Sequence, residues 1–212
     1  MQNRQSHQKE AHAHVWQTLV ERLGLEDAAE RAGRLRDFLN LEADTTFGPV
    51  YHTKIDLGEA EVASLYLFEY KTVQFSPREP ELIAACMLNL SQPVSSVSLK
   101  ALRKRHQILE ALGASATGSG ILSFPDDPDF DRAITVYARD EAGARRLLSK
   151  PTRDLLKRSL YDRGAAPTFL LGERQLLFSM PMPLLDAARL MSLELLATDL
   201  LSLYAVFAAT QE

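Results

Sequence analysis

The C-terminal segment from Pro183 to Ala208 is apolar around almost its whole circumference. Leucine, alanine and methionine dominate it, and a proline suits the first turn of a helix. At about 100° per residue, its four charges point to different sides of that helix: Asp186, Arg189, Glu194 and Asp199. Such a helix is stable when a large core, a membrane or a partner buries it. This requirement constrains the architecture more than any other part of the chain.

The charges of this segment argue against a membrane span. A span needs about 20 mostly apolar residues, and each charge near its centre costs about 2.5–3.5 kcal/mol. The longest uncharged run, Leu200 to Gln211, is shorter than that. We therefore expect a helix that is buried in the core or at an interface, and no membrane span.

The composition is typical of a globular protein. Its 212 residues and 46% apolar content suit one large domain with a substantial core. A net charge of −4 excludes a global positive field that would attract nucleic acid or anionic membranes. The single cysteine, Cys86, excludes an internal disulfide, and Met1 to Glu10 hold no apolar stretch typical of a secretory signal. We expect a cytoplasmic protein.

Residue patterns divide the chain into three parts. Residues 1–10 are polar, and we expect a disordered tail there. Residues 11–45 predict a helical hairpin, with helices over Ala11–Leu23 and Leu25–Leu41 separated by Gly24. Residues 46–212 are predicted to form an α+β domain.

Paired strands predict an antiparallel sheet in that domain. The runs Val50–Leu57 and Val62–Phe75 flank a short polar turn, and Thr168–Leu171 and Gln175–Met180 flank another. The run Glu81–Leu90 fits a buried strand or a short helix, and its length and its position after a hairpin favour the strand. Further strands are predicted over Val94–Ser98, Ile121–Phe124 and Ala133–Ala138, and helices over Leu99–Leu112, Glu141–Leu148 and Thr152–Tyr161. Because the strands come in hairpin pairs, the pattern favours α+β over a doubly wound parallel sheet. The long C-terminal helix is expected to pack on the sheet.

A motif in the second half resembles a known family. It reads Phe130-x-x-Ala133-Ile-Thr-Val-Tyr-Ala-x-Asp140-x-x-x-Ala144-x-x-Leu147-Leu148-x-x-Pro151, and a strand pair and the leucine-rich last helix follow it. This pattern is similar to a soluble domain of bacterial proteins of unknown function, which is often attached to membrane segments. The hairpin from Gly58 to Val73 looks similar too, so the resemblance covers about residues 48 to 208. It implies a fold and no catalytic residues.

No pattern in the chain predicts a catalytic, metal or cofactor site. Three histidines between positions 7 and 14 lack the spacing of zinc ligands. The acidic run 127–131 begins like a calcium loop but lacks its central glycine and final glutamate. The glycines between 113 and 120 follow a predicted helix, whereas a phosphate loop precedes one. We therefore expect no metal, no cofactor and no assignable catalytic residue.

Two groups of basic residues are the main functional hint. They lie on the predicted helix after Leu99 and on the later helical pair: Lys100, Arg103, Lys104 and Arg105, then Arg145, Arg146, Lys150, Arg153, Lys157 and Arg158. On one side of the sheet they would form a basic patch able to bind the phosphates of nucleic acid. The other interpretation, which holds for most charge runs, is a solvated helix face.

The leading hypothesis is a non-enzymatic protein that acts by association, as a homo-oligomer or with a protein partner. The surplus apolar surface of the C-terminal helix motivates it, and the predicted interface residues are Leu200, Leu203, Tyr204 and Phe207. The alternative is a nucleic-acid-binding protein that uses the two basic groups. An enzyme of unknown class comes third.

Overall fold

The strands of the protein form one antiparallel sheet. The computed structural model describes residues 2–39, 41, 43–58, 61–72, 81–104, 120–162, 167–182 and 186–209. The strands are β1 (Glu26–Asp27), β2 (Thr46–Gly58), β3 (Glu61–Thr72), β4 (Glu81–Leu90), β5 (Leu99–Arg103), β6 (Gly120–Leu122), β7 (Ile134–Ala138), β8 (Thr168–Leu171) and β9 (Gln175–Met182). They follow the order β1-β2-β3-β4-β9-β8-β5-β7-β6 across the sheet. The predicted α+β class with an antiparallel sheet is confirmed.

Seven helices accompany the sheet within the described ranges. They are α1 (Gln2–Leu23), α2 (Ala32–Leu39), α3 (Pro128–Ala133), α4 (Glu141–Leu147), α5 (Lys150–Lys157), α6 (Ala187–Leu190) and α7 (Ser192–Ala209). A 3₁₀ turn precedes α2, and a π-helical turn, Arg158–Asp162, extends α5. The predicted stop at Gly24 is confirmed by its φ of 59°, a conformation that glycine adopts without strain.

The alternation of side chains along each strand divides the interior into two cores. On β3, Leu65 and Leu67 belong to the larger cluster of buried residues, whereas Tyr66 and Phe68 belong to a smaller one. This is the two-residue period of a strand that is buried on both faces. We call the side of the larger cluster the inner face and the side of the smaller one the outer face.

The predicted N-terminal helical hairpin does not form, because the sheet separates its two helices. Trp16 and Leu19 of α1 lie in the inner core, whereas Leu35 of α2 lies in the outer core. Residues predicted to begin the second helix instead form β1, which pairs with Tyr51 and His52 of β2. At the other end, α1 already begins at Gln2, where a disordered tail was expected.

The hairpins marked by local signals are where the sequence places them. β2 pairs with β3 from Thr46 to Gly58, and β8 pairs with β9, with the Gly172 N–H donating to the Gln175 carbonyl at 2.8 Å. The predicted strands Glu81–Leu90 and Ala133–Ala138 correspond to β4 and β7. Turn residues between apolar runs are local features, so a single sequence suffices to find them.

The helix predicted over Leu99–Leu112 is wrong in its described part. Leu99–Arg103 is β5, an interior strand that pairs with β8 on one side and β7 on the other. Leucine, alanine, lysine and arginine favour helices, but two flanking strands override that preference. The strand predicted at Val94–Ser98 is absent, because these residues form bends that lead into β5. Residues 105–112 lie outside the described ranges.

The last helix packs on the inner face of the sheet, as expected. α7 contacts β4 and β9, and it buries Leu193, Leu196, Leu200, Leu203 and Phe207. Three of the four predicted interface residues, Leu200, Leu203 and Phe207, are therefore core residues with 0% exposure, and Tyr204 is half-buried. By length and composition alone, Ala187–Ala209 could cross a membrane, since its most apolar 18 residues have a mean hydropathy of 1.6. In this structure, 44% of that stretch is buried within the protein.

Replacing Leu203 with alanine is expected to lower the free energy of unfolding by about 2–5 kcal/mol, because a cavity would remain between α7 and the sheet. The matched variant Ile121→Ala removes a side chain that is 60% exposed on β6, outside both cores. It should change the free energy by about 0.5 kcal/mol or less. Urea denaturation followed by circular dichroism measures both. Equal effects of the two variants would contradict the orientation of α7.

Candidate functional site

Of the first basic group, Lys100 lies on the outer face of the sheet, whereas Arg103 pairs with Ile134 of the inner core and lies on the inner face, as the later group does. Lys100 on β5 lies opposite Leu170 and Tyr137, and Leu170 packs against the outer core. The later basic group belongs to α4 and α5, which bury residues such as Leu156 in the inner core. Arg105 lies outside the described ranges. The described members of the first group therefore do not share one face, and Lys100 is separated from the later group by the sheet.

Arg153 is the most deeply buried member of the second group. Its Nε donates to Asp127 Oδ2 at 3.0 Å, its Nη2 to Asp126 Oδ2 at 2.7 Å and its Nη1 to the Leu148 carbonyl at 3.0 Å. The guanidinium also lies 5.0 Å from the ring centroid of Phe124. A forked donor that is satisfied in this way ties α5 to the loop before α3, and it is not available to a ligand.

The carboxylate of Asp127 is stabilised in its charged form. Burial alone would raise its pKa, but hydrogen bonds from Arg153, from the Phe130 N–H and from Lys150 together lower that pKa below its ordinary value. Asp127 is also the N-cap of α3, and Pro128 follows it in the first turn. The acidic run 127–131 thus contains the start of a helix, which an ion pair holds in place.

Other basic side chains of the two groups also contact the protein itself. Arg145 pairs with Glu141 and donates to the Ser123 carbonyl. Lys104 donates to the Asp131 carbonyl, and Arg103 lies over the ring of Tyr161 at 4.3 Å. Lys150 contacts Asp127 and Asp154, and Arg158 contacts Asp199. Arg146 lines an open cleft of about 610 Å³ beside Gly143, and Lys157 is half-buried.

The apolar helix α7 carries a buried charge, Asp199, which is 1% exposed. Arg158 donates to its Oδ1 at 2.8 Å and Ser159 to its Oδ2 at 2.8 Å. Two adjacent residues of the π-helical turn thus satisfy both oxygens of one carboxylate. Cys86 lies in the same core, where burial, with a smaller contribution from Asp199, raises the pKa of its thiol far above the ordinary value. That thiol is therefore inert at neutral pH.

A second buried acid, Glu69 on β3, faces the helix α1. Its Oε1 accepts a hydrogen bond from Trp16 Nε1 at 2.9 Å and lies 2.5 Å from His12 Nε2. All three residues are buried, with 4% exposure for Glu69, 3% for Trp16 and 7% for His12. His12 and Trp16 are four residues apart and therefore share one side of the helix. His12, which lies in the helix predicted over Ala11–Leu23, thus belongs to the interior.

A cavity of about 220 Å³ opens beside Glu69. Its lining consists of Thr46, Phe47, Gly48, Glu69, Lys71 and Leu82. The pairing of β2 with β3 is irregular here, because Phe47 pairs with Tyr70 and Val50 with Phe68, so that Gly48 and Pro49 face Glu69 alone. An irregularity of this kind bends a strand and opens space next to it. We call this the Glu69 cavity.

Strand periodicity contained a signal for this site. Leu65, Leu67, Glu69 and Lys71 occupy every second position of β3 and share the inner face, where two apolar residues are followed by two charged ones. A charge that continues a buried row marks an unusual interior position. Its partners on α1 are more than fifty residues away in the chain, so no local pattern could identify them.

The variant Asp127→Asn should have a lower free energy of unfolding than the wild type at neutral pH. It should also lose less of that free energy as the pH falls into the acidic range. The folded-state pKa of Asp127 is depressed below the ordinary 3.8. The contribution of this carboxylate to the free energy of unfolding is therefore fully present above pH 3.8, and it is lost as the pH falls through the folded-state pKa. Asparagine keeps the N-cap and removes the charge.

Urea unfolding at a series of pH values measures both effects. The wild-type and variant free energies of unfolding should converge as the pH drops below 3.8. Asp129→Asn, which removes an exposed carboxylate of the same helix, is the matched control and should leave the pH profile nearly unchanged. Parallel pH profiles of the wild type and Asp127→Asn would contradict the assignment.

Comparison with protein families, with curated proteins and with solved structures finds no match for this chain. The resemblance of residues 48 to 208 to a bacterial domain of unknown function therefore stays a prediction.

Proposed function

We propose that this protein is a self-associating module whose contact surface is the outward face of α7. We define that face by the residues that point away from the sheet: Leu195, Thr198, Ser202, Ala205 and Ala209. The observation that carries the proposal is electrostatic. In a chain with 25% charged residues, neither charge of α7 is free on this face, because Glu194 pairs with Arg22 at 3.0 Å and Asp199 is buried.

The polar side chains of this face do not need water. Thr198 Oγ1 donates to the Glu194 carbonyl at 3.1 Å, and Ser202 Oγ donates to the Thr198 carbonyl at 3.0 Å. A hydroxyl that is hydrogen-bonded to its own helix can be buried without leaving an unpaired donor. The face can therefore be removed from water at low cost.

The charge and shape of this face favour a second copy of the chain as its occupant. Two chains of net charge −4 repel each other, and an uncharged face is where they approach with the least repulsion. The small residues at 198, 202, 205 and 209 allow two helix axes to approach to about 8 Å. A twofold pairing of α7 with α7 would use the same face on both copies. The proposal keeps the association expected from the sequence and moves its surface away from Leu200, Leu203 and Phe207.

The variant Ala205→Arg should convert a dimer to a monomer. In a twofold pair it places two guanidinium groups at an uncharged contact, where their repulsion and desolvation oppose association. Sedimentation velocity over a concentration series gives the subunit count. Thermal unfolding should change little, because Ala205 points away from the core.

Ala142→Arg makes the same substitution at an exposed position of α4 and is the matched control. It should sediment like the wild type. A wild-type protein that stays monomeric at every concentration would overturn the proposal. A variant Ala205→Arg that stays dimeric would place the contact elsewhere.

A further inference from the structure

We infer that the Glu69 cavity binds a small α-amino acid, with Glu69 receiving the ammonium group and Lys71 the carboxylate. This inference is independent of self-association, because the cavity and the outward face of α7 share no residues. It rests on an acceptor at one end of the cavity, a donor at the other end and a volume between them.

The acceptor is the second oxygen of Glu69. Trp16 and His12 both contact Oε1. Oε2 faces Gly48 across the cavity wall, since a Cβ atom added to Gly48 would lie 3.4 Å from it. A buried carboxylate oxygen at a cavity wall is satisfied best by a cation that donates hydrogen bonds.

The donor at the other end is the ammonium group of Lys71. Lys71 stands two residues beyond Glu69 on the same face of β3, so that the Cα atoms of the two residues are about 6.7 Å apart along the strand, and its exposed side chain lines the cavity. Within the described residues it has no acidic group at ion-pair distance. Thr46, which pairs with Lys71 in the sheet, adds a hydroxyl to the cavity lining at this end. A carboxylate is the group that this end of the cavity recognises.

The two ends together select a zwitterion. A simple amine would meet the charge of Lys71, and a simple carboxylate would meet that of Glu69, so each would be repelled at one end. A cavity of about 220 Å³ has the volume of about seven waters at ~30 Å³ each. That volume suits glycine, alanine or serine. Leu82 provides an apolar wall for a short side chain.

The full-length protein contains its own reporter for the test. Trp16 is the single tryptophan of the chain, and its indole N–H contacts Glu69. Titration with glycine, L-alanine and L-serine should change its fluorescence in a saturable way, and calorimetry should give the same affinity. Methylamine and acetate, at the same ionic strength, should bind at least tenfold more weakly.

Variants assign the two ends of the cavity. Lys71→Met should abolish the preference for glycine over methylamine, whereas Lys54→Met, an exposed lysine on β2, should leave it unchanged. Gly48→Ala places a methyl group in front of Glu69 Oε2 and should weaken glycine binding at least tenfold. Glu69→Gln changes a buried partner of α1, so the folding of this variant is checked first by circular dichroism. If the Glu69→Gln variant is unfolded, Lys71→Met carries the test.

Three results would overturn the inference. The first is the absence of a saturable response to all three amino acids in both fluorescence and calorimetry. The second is binding of methylamine as tight as that of glycine, which would mean that Lys71 recognises nothing. The third is a Lys71→Met variant that keeps the affinity and the preference of the wild type.

Discussion

The packing of α7 on β4 and β9 is the contact on which the rest of the structure depends. The helix is apolar on most sides, so it is stable where a wide surface removes it from water. Its one buried charge, Asp199, is tolerated because Arg158 and Ser159 donate to both carboxylate oxygens. The π-helical turn that carries these two donors is therefore held in place by α7, and so is the end of α5.

The basic residues illustrate how a charge pattern in the sequence can become internal structure. Arg153 connects α5 to Asp126 and Asp127, and Arg158 reaches Asp199. Arginine suits this work, because its planar fork satisfies several acceptors at once and remains charged when buried. Sequence alone shows how many cations a helix carries. Which acids of the fold they meet depends on tertiary packing.

The fold could be predicted from the sequence wherever its signals are local. Turn residues identify the hairpins β2–β3 and β8–β9, and Asp140 marks the start of α4 by accepting from the Gly143 N–H. The strand β5 was missed because its residues favour helix and its neighbours, β7 and β8, come later in the chain. For the same reason the sequence could not show that Leu200, Leu203 and Phe207 face the sheet: composition shows a helix to be apolar, and only the sheet decides which side is covered.

The position of α1 in the fold also differs from the one that the sequence predicts. The sequence predicts it as half of a separate hairpin, but Glu69 makes it part of the main fold. Trp16 donates to that buried carboxylate and His12 lies beside it, so α1 covers an acid that the sheet would otherwise leave open. The contact of α1 between Arg22 and Glu194 joins a side chain that is 56% exposed and contributes about 0–1 kcal/mol. Burial of Trp16 and Leu19, together with the Glu69 contacts, therefore holds the helix on the sheet.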